Sequence, residues 1–141
     1  MAPRPGSVHF EIHDPARGSQ ALVQSWNRYW AGMHWSKRRK YMERVAYTVA
    51  QAAQEAAGGR VELATPVAVE IALVSRHPGY LMDPDNVCVK PIVDGLVLAG
   101  LIPDDDWRHV ARVSVSCVLD REEAPRRGRL VRVSISSTKE A

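Results

Sequence analysis

MDPDNVCVKPIVDGLVLAGLIPDDDWRHV, residues 82–110, sets two acidic groups on either side of an apolar segment. Asp83 and Asp85 flank a proline at one end, followed by Asn86, Lys90 and Asp94. Asp104, Asp105 and Asp106 stand together at the other. The apolar run between them reads as a helix closing at Gly100, which would bring both acidic loops to one side of a sheet. Two carboxylates about 4 Å apart repel by about 4 kcal/mol at an effective dielectric near 20. A divalent cation would relieve that repulsion, and the pattern therefore points to Mg²⁺ and phosphoryl chemistry.

Outward from this stretch, apolar alternation predicts strands on both sides. Val67, Val69, Ile71 and Leu73 alternate with Ala68, Glu70, Ala72 and Val74. Downstream, Val113, Val115, Cys117 and Leu119 form one such set, and Val131, Val133 and Ile135 another, with the turn-rich residues 120–128 between them. These last two strands are expected to form an antiparallel hairpin. Near the start, Val8, Phe10 and Ile12 alternate with His9, Glu11 and His13, and residues 14–19 read as a turn. A helix is predicted from Ser36 as N-cap, with Tyr41, Val45, Val49, Ala52 and Ala56 on its apolar face and Gly58-Gly59 as its stop. Residues 21–35 show no clean period. The expectation is an α+β domain, a small mixed β-sheet packed against two main helices, in the order strand-helix-strand-helix-strand-strand.

The 141 residues, 45% of them hydrophobic, suit one domain spanning 1–141, with 1–7 and 138–141 as frayed termini. Cys88 and Cys117 match no zinc spacing and read as reduced core residues. No apolar run reaches the length of a membrane span, and no signal-peptide core opens the chain. A soluble, cytoplasmic protein is expected. The net charge is only +3, but the charges segregate, with cations crowding 28–44 and 126–132 and acids gathering in 83–106. That distribution suits cations on phosphates and carboxylates on metal.

Lys37, Arg38, Arg39 and Lys40 fall at the expected start of the helix, where the macrodipole disfavours cations by roughly 0.3–1 kcal/mol each. A bound phosphate would reverse that penalty. These four, with Arg28 and with Arg76 of the loop before the acidic segment, are the candidate DNA-binding residues. Trp26, Tyr29, Trp30 and Trp35 are candidates to stack on bases, and equally to be core aromatics. Arg126, Arg127 and Arg129 make a second, weaker basic patch.

The ordered set Asp83-x-Asp85-Asn86, Lys90-Pro91, Asp94-Gly95-Leu96, Ala99-Gly100-Leu101-Ile102-x-Asp104-Asp105, then a strand, resembles the RusA family of Holliday-junction resolvases. The similarity is strongest from Asp83 to Val110 and weaker around Asn27–Tyr29 and Ser36–Tyr41. It implies a small, homodimeric, Mg²⁺-dependent endonuclease of bacterial or phage origin, with Mn²⁺ as a substitute, that nicks branched DNA symmetrically. It also puts Asp83, Asp85 and Asp105 at the metal-ligand positions and Lys90 at a catalytic lysine. Asn86 and Asp104 would support those ligands from behind, and Asp106 would serve the turn.

Lys90 stands five residues after Asp85, where the family commonly spaces four, and Pro91 follows it. A break between Val87 and Pro91 is therefore expected, returning Lys90 to the acidic side. The ordinary reading of Lys90 is a surface pair with Asp94. Asp94 itself, nine residues past Asp85, would lie on the far side of a straight helix and serve structure. His77 and His109 are not assigned to the site, since Mg²⁺ prefers oxygen. An EF-hand is excluded because Val87 and Cys88 fill positions needing an oxygen ligand and glycine. Two other classes stay open: a junction-binding module without catalysis, and a metal-dependent nuclease acting on RNA or another nucleic acid.

Overall fold

The computed structural model describes residues 6–16 and 21–139. Seven regular elements follow one another: β1 (Ser7–Asp14), α1 (Trp26–Ala31), α2 (Trp35–Ala57), β2 (Val67–Ser75), α3 (Lys90–Leu98), β3 (Val110–Leu119) and β4 (Arg129–Ser137). Single 3-10 turns at Pro78–Tyr80 and Pro84–Asn86 interrupt the loop between β2 and α3. The α+β expectation holds, with the short α1 added in the stretch where the sequence has no period.

The sheet order is β1-β4-β2-β3. Here the expected hairpin is corrected. β4 runs antiparallel between β1 and β2, while β3, among the described residues, pairs only with β2, in parallel. A parallel pair needs a crossover, and α3 supplies it. The register aligns Phe10 with Val133, Val133 with Ile71 and Ile71 with Val115, one apolar row across all four strands. Neighbouring positions carry the polar row, in which Arg132 of β4 meets Glu11 of β1 at 2.9 Å.

Tyr41, Val45, Val49, Ala50 and Ala53 of α2 join Ile92, Val93 and Leu96 of α3 in a single core against the apolar face of the sheet. Ala53, not Ala56, continues the buried stripe of α2, and Ala56 is exposed. His34, not Ser36, caps this helix: its side chain accepts from the Ser36 N–H. Gly58 closes the helix in the left-handed conformation at φ 76°, as its place in the sequence suggested. β3 departs from its alternation, because as an edge strand it leaves Val113, Val118 and Leu119 exposed.

The expected fraying is corrected where it can be seen. Ser7 pairs with Ser136, and both the N–H and the hydroxyl of Thr138 donate to Pro66 O. Residues 1–5, 17–20 and 140–141, on which part of the terminus and turn expectations fall, lie outside the described residues. No described helix is long and apolar enough to cross a membrane.

Candidate active site and basic cleft

The loop leaving β2 is held from below before it reaches the first aspartates. Val87 bridges to Ser25, and Cys88 N–H donates to Gln24 O at 2.9 Å. Arg129 donates to Tyr80 O at 2.7 Å. Asp83 precedes the second 3-10 turn but makes no capping hydrogen bond with its side chain. Asp83 and Asp85 are both exposed, and among the described residues neither carboxylate enters an ion pair or a side-chain hydrogen bond. Asn86 closes the turn with its backbone, donating to Asp83 O at 2.9 Å.

The chain stays non-helical from Val87 to Val89, and α3 begins at Lys90 with Pro91 in its first turn, where proline costs no hydrogen bond. The break expected from Pro91 is thus present. It also changes the reading of Asp94. The helix does not run through from Asp85, so counting nine residues along a straight helix does not apply. Asp94 sits one turn beyond Lys90 on the same side, 3.6 Å from its ammonium. Lys90 Nζ also lies 3.5 Å from Asp105 Oδ2, across 15 residues of chain. The ordinary pair and the long-range contact therefore coexist.

Charge in this trio is mutually adjusted. Burial alone would lower the Lys90 pKa, but Asp94 and Asp105 outweigh it and hold the ammonium above its ordinary value. Burial raises the Asp94 carboxyl; Lys90 pulls it back, and Asp105 adds to the rise. An open concavity beside the trio is lined by Asp94, Val97, Leu98, Asp104 and Asp105.

The three neighbouring aspartates divide their tasks. Asp104 Oδ1 accepts the Asp105 N–H at 2.7 Å, a local turn bond. Asp106 Oδ1 accepts from Arg108 N at 3.0 Å and contacts His109 Nδ1 at 2.7 Å, so it builds the entrance to β3. Of the three, Asp105 is the one that meets Lys90. His77 reaches Arg126 O at 3.2 Å, a loop contact. Trp107, which sequence reasoning passed over, stands 79% exposed on this turn with the Arg108 guanidinium 5.5 Å from its ring. Its only sequence signal is its position two residues after Asp105.

Asp83, Asp85 and Asp105 offer hard oxygen donors, the type Mg²⁺ selects, and two of them are otherwise unengaged. The donor chemistry fits such an ion. Among the described residues, no group of three or more His, Cys, Asp or Glu side chains is gathered as metal ligands would be.

The basic stretch separates into distinct roles. Arg38 lies over Trp30 at 5.3 Å and Tyr29 at 5.9 Å, with its Nε buried and without a hydrogen bond among the described residues. Arg39 pairs with Glu43 at 3.3 Å. Arg28, Lys37 and Lys40 instead line a cleft between α1 and α2. With His34 as the cap, only Lys37 falls within the first turn, so the dipole penalty expected for all four cations is confined mainly to one. Arg76 donates to the carbonyls of Ala124 and Glu122, which gives it the structural task of holding the loop before β4.

Arg129 is a correction to the second basic patch. It is buried and paired with Asp14, and it plays no part in a surface array. The aromatic residues are divided: Tyr29 and Tyr41 belong to the core, while Trp30 and Trp35 are exposed. No protein-family model matches this chain, and no curated protein matches its sequence.

Proposed function

We propose that this protein is a Mg²⁺-dependent endonuclease of the RusA type, acting on branched DNA such as four-way junctions, with Mn²⁺ able to substitute. The observation that carries the reading is the approach of Lys90 to Asp105 at 3.5 Å, which sets the second acidic group beside the start of α3. Asp94 joins them, and the unengaged Asp83 and Asp85 are carried on the loop leading into the same helix.

In this proposal Asp83, Asp85 and Asp105 hold the cation, with Asn86 and Asp104 behind them. Bound there, the ion would act as a Lewis acid towards the scissile phosphate and lower the pKa of a coordinated water. The Lys90 ammonium, kept protonated by Asp94 and Asp105, donates to a non-bridging phosphate oxygen as charge accumulates on it. Water adds to phosphorus and releases a proton to solvent, the P–O bond to the leaving sugar oxygen breaks, and that oxygen takes a proton from solvent. Paired nicks on a two-fold junction require two copies, so the proposed active form is a homodimer. The unpaired outer edge of β3, with its exposed valines, is a surface available for such pairing.

The test compares a four-way DNA junction, duplex DNA and RNA as substrates, with Mg²⁺ and with EDTA. Mg²⁺-dependent nicking of the junction, lost in Asp85→Asn while binding persists, is the expected result. Binding without cleavage under every metal condition would make the protein a recognition module instead. Preferential cleavage of RNA would reassign the substrate.

A further inference from the structure

The cleft between α1 and α2 has a cavity volume of about 410 Å³, within the range of small-molecule sites. Its rim carries Arg28 from α1 and Lys37, Lys40 and Arg44 from α2; its floor is Met33 and Tyr41. Among the described residues no acidic side chain lines it. Arg28, Lys37 and Lys40 are all exposed and enter no ion pair among the described residues. Arg44 is fixed in place, donating to Ala21 O at 3.1 Å and lying 5.7 Å from the Tyr41 ring. The Tyr41 hydroxyl is likewise committed, to Leu22 O and Gln24 N, and its ring, buried in the core, closes the bottom of the cleft without offering a face.

Cations gathered around one hollow repel each other, and among the described residues no carboxylate stands in its lining to offset them. A bound anion would. The space is too large for a phosphate group alone, and its floor is apolar. Cationic rim and apolar floor together match a phosphate joined to a flat, weakly polar ring system.

We propose that this cleft receives one nucleotide of a DNA strand, its phosphate among Arg28, Lys37 and Lys40 and its base against the half-buried Met33. The choice of a strand over a free nucleotide rests on the nuclease reading above; the shared chemistry, a nucleoside monophosphate unit, does not. A nucleotide seated here would be unpaired, so the cleft would favour branch points and strand ends over continuous duplex.

The experiment follows binding of a 3′-labelled oligothymidylate by anisotropy in EDTA, where strand scission plays no part. Failure of cleavage therefore leaves this result standing. Removing one cation that neutralises a phosphate should flatten the log–log salt dependence of affinity by about 0.7 for a single strand. The Lys37→Ala/Lys40→Ala variant should thus lose about 1.4 from the slope at an unchanged melting temperature. Arg39→Ala, which removes a cation outside the cleft, should lose nothing. Thymidine monophosphate should displace the oligonucleotide at lower concentration than inorganic phosphate at equal ionic strength. Displacement of the strand by the mononucleotide below 1/10 of the strand's own effective concentration would instead identify a free nucleotide as the ligand. An unchanged slope in the double variant, equal flattening by Arg39→Ala, or inorganic phosphate competing as well as the mononucleotide would overturn the proposal.

Discussion

Gly95 of α3 sits directly over Val49 of α2: a Cβ on the glycine would come within 2.6 Å of Val49 Cβ and 2.9 Å of Ala46 O. The missing side chain lets the two helices approach, and that approach sets the position of Lys90 and Asp94 on the same short helix. Alanine ordinarily stabilises a helix interior by about 1 kcal/mol over glycine. Here overpacking, typically about 1–3 kcal/mol, opposes it. Gly95→Ala should lower stability in urea denaturation. Val49→Ala keeps the Cβ that stands in the way, so Val49→Gly is the partner change: the double variant should lose less than the sum of the two single ones, giving a non-additive cycle.

Asp14 and Arg129 form a second tight relationship, with Arg129 Nε 2.8 Å from Asp14 Oδ2 and both side chains buried. The carboxylate also accepts from Leu22 N and Val23 N, and the guanidinium donates to Val23 O and Tyr80 O. Breaking a buried pair from one side leaves an uncompensated charge, at a cost of about 3–5 kcal/mol. Asp14→Ala and Arg129→Met should each show that loss by urea denaturation. The double replacement should cost less than their sum.

Lys90→Met tests the proposed chemistry apart from metal binding. Removing one positioned donor to a developing oxyanion typically costs about 10²–10³ in kcat. That loss is expected with junction affinity in EDTA unchanged. Wild-type kcat in the variant would leave Lys90 as a surface partner of Asp94.

Cys88 and Tyr41 predict alkaline lability. Burial pushes the Cys88 thiol up to about 11 from an ordinary 9.0, and it raises the Tyr41 phenol as well. With the folded pKa above the unfolded one, each contribution is complete below the unfolded value and disappears as pH rises through the folded value. Stability should therefore fall from about pH 9 towards 11, and Cys88→Ala should flatten that fall in chemical denaturation at fixed pH steps. At pH 8 a thiol reagent should modify the half-buried Cys117 in the native protein well before the buried Cys88.

The strands with one buried face were legible because alternation is local: Val8 and Phe10, or Val69, Ile71 and Leu73, lie on the core side wherever the partner strand is. Gly58 as the helix stop was legible for the same reason, as was the break forced by Pro91. Residues 21–35 were opaque because α1 has only 6 residues, too few to show a period. Asp94 was misplaced because its side depends on where the helix begins. Arg129 reads in the sequence as one more cation of a loop with Arg126 and Arg127, because the partner that buries it lies 115 residues away.

By itself the sequence determined the element types, the apolar faces and the accumulation of acid and base in separate stretches, since each depends on residues near one another in the chain. Only tertiary structure decided that β4 lies between β1 and β2, that Lys90 meets Asp105, and that Arg28 joins Lys37 and Lys40 around one cleft. Those outcomes depend on which distant surfaces pack together, and packing free energy belongs to the whole core, not to any local stretch.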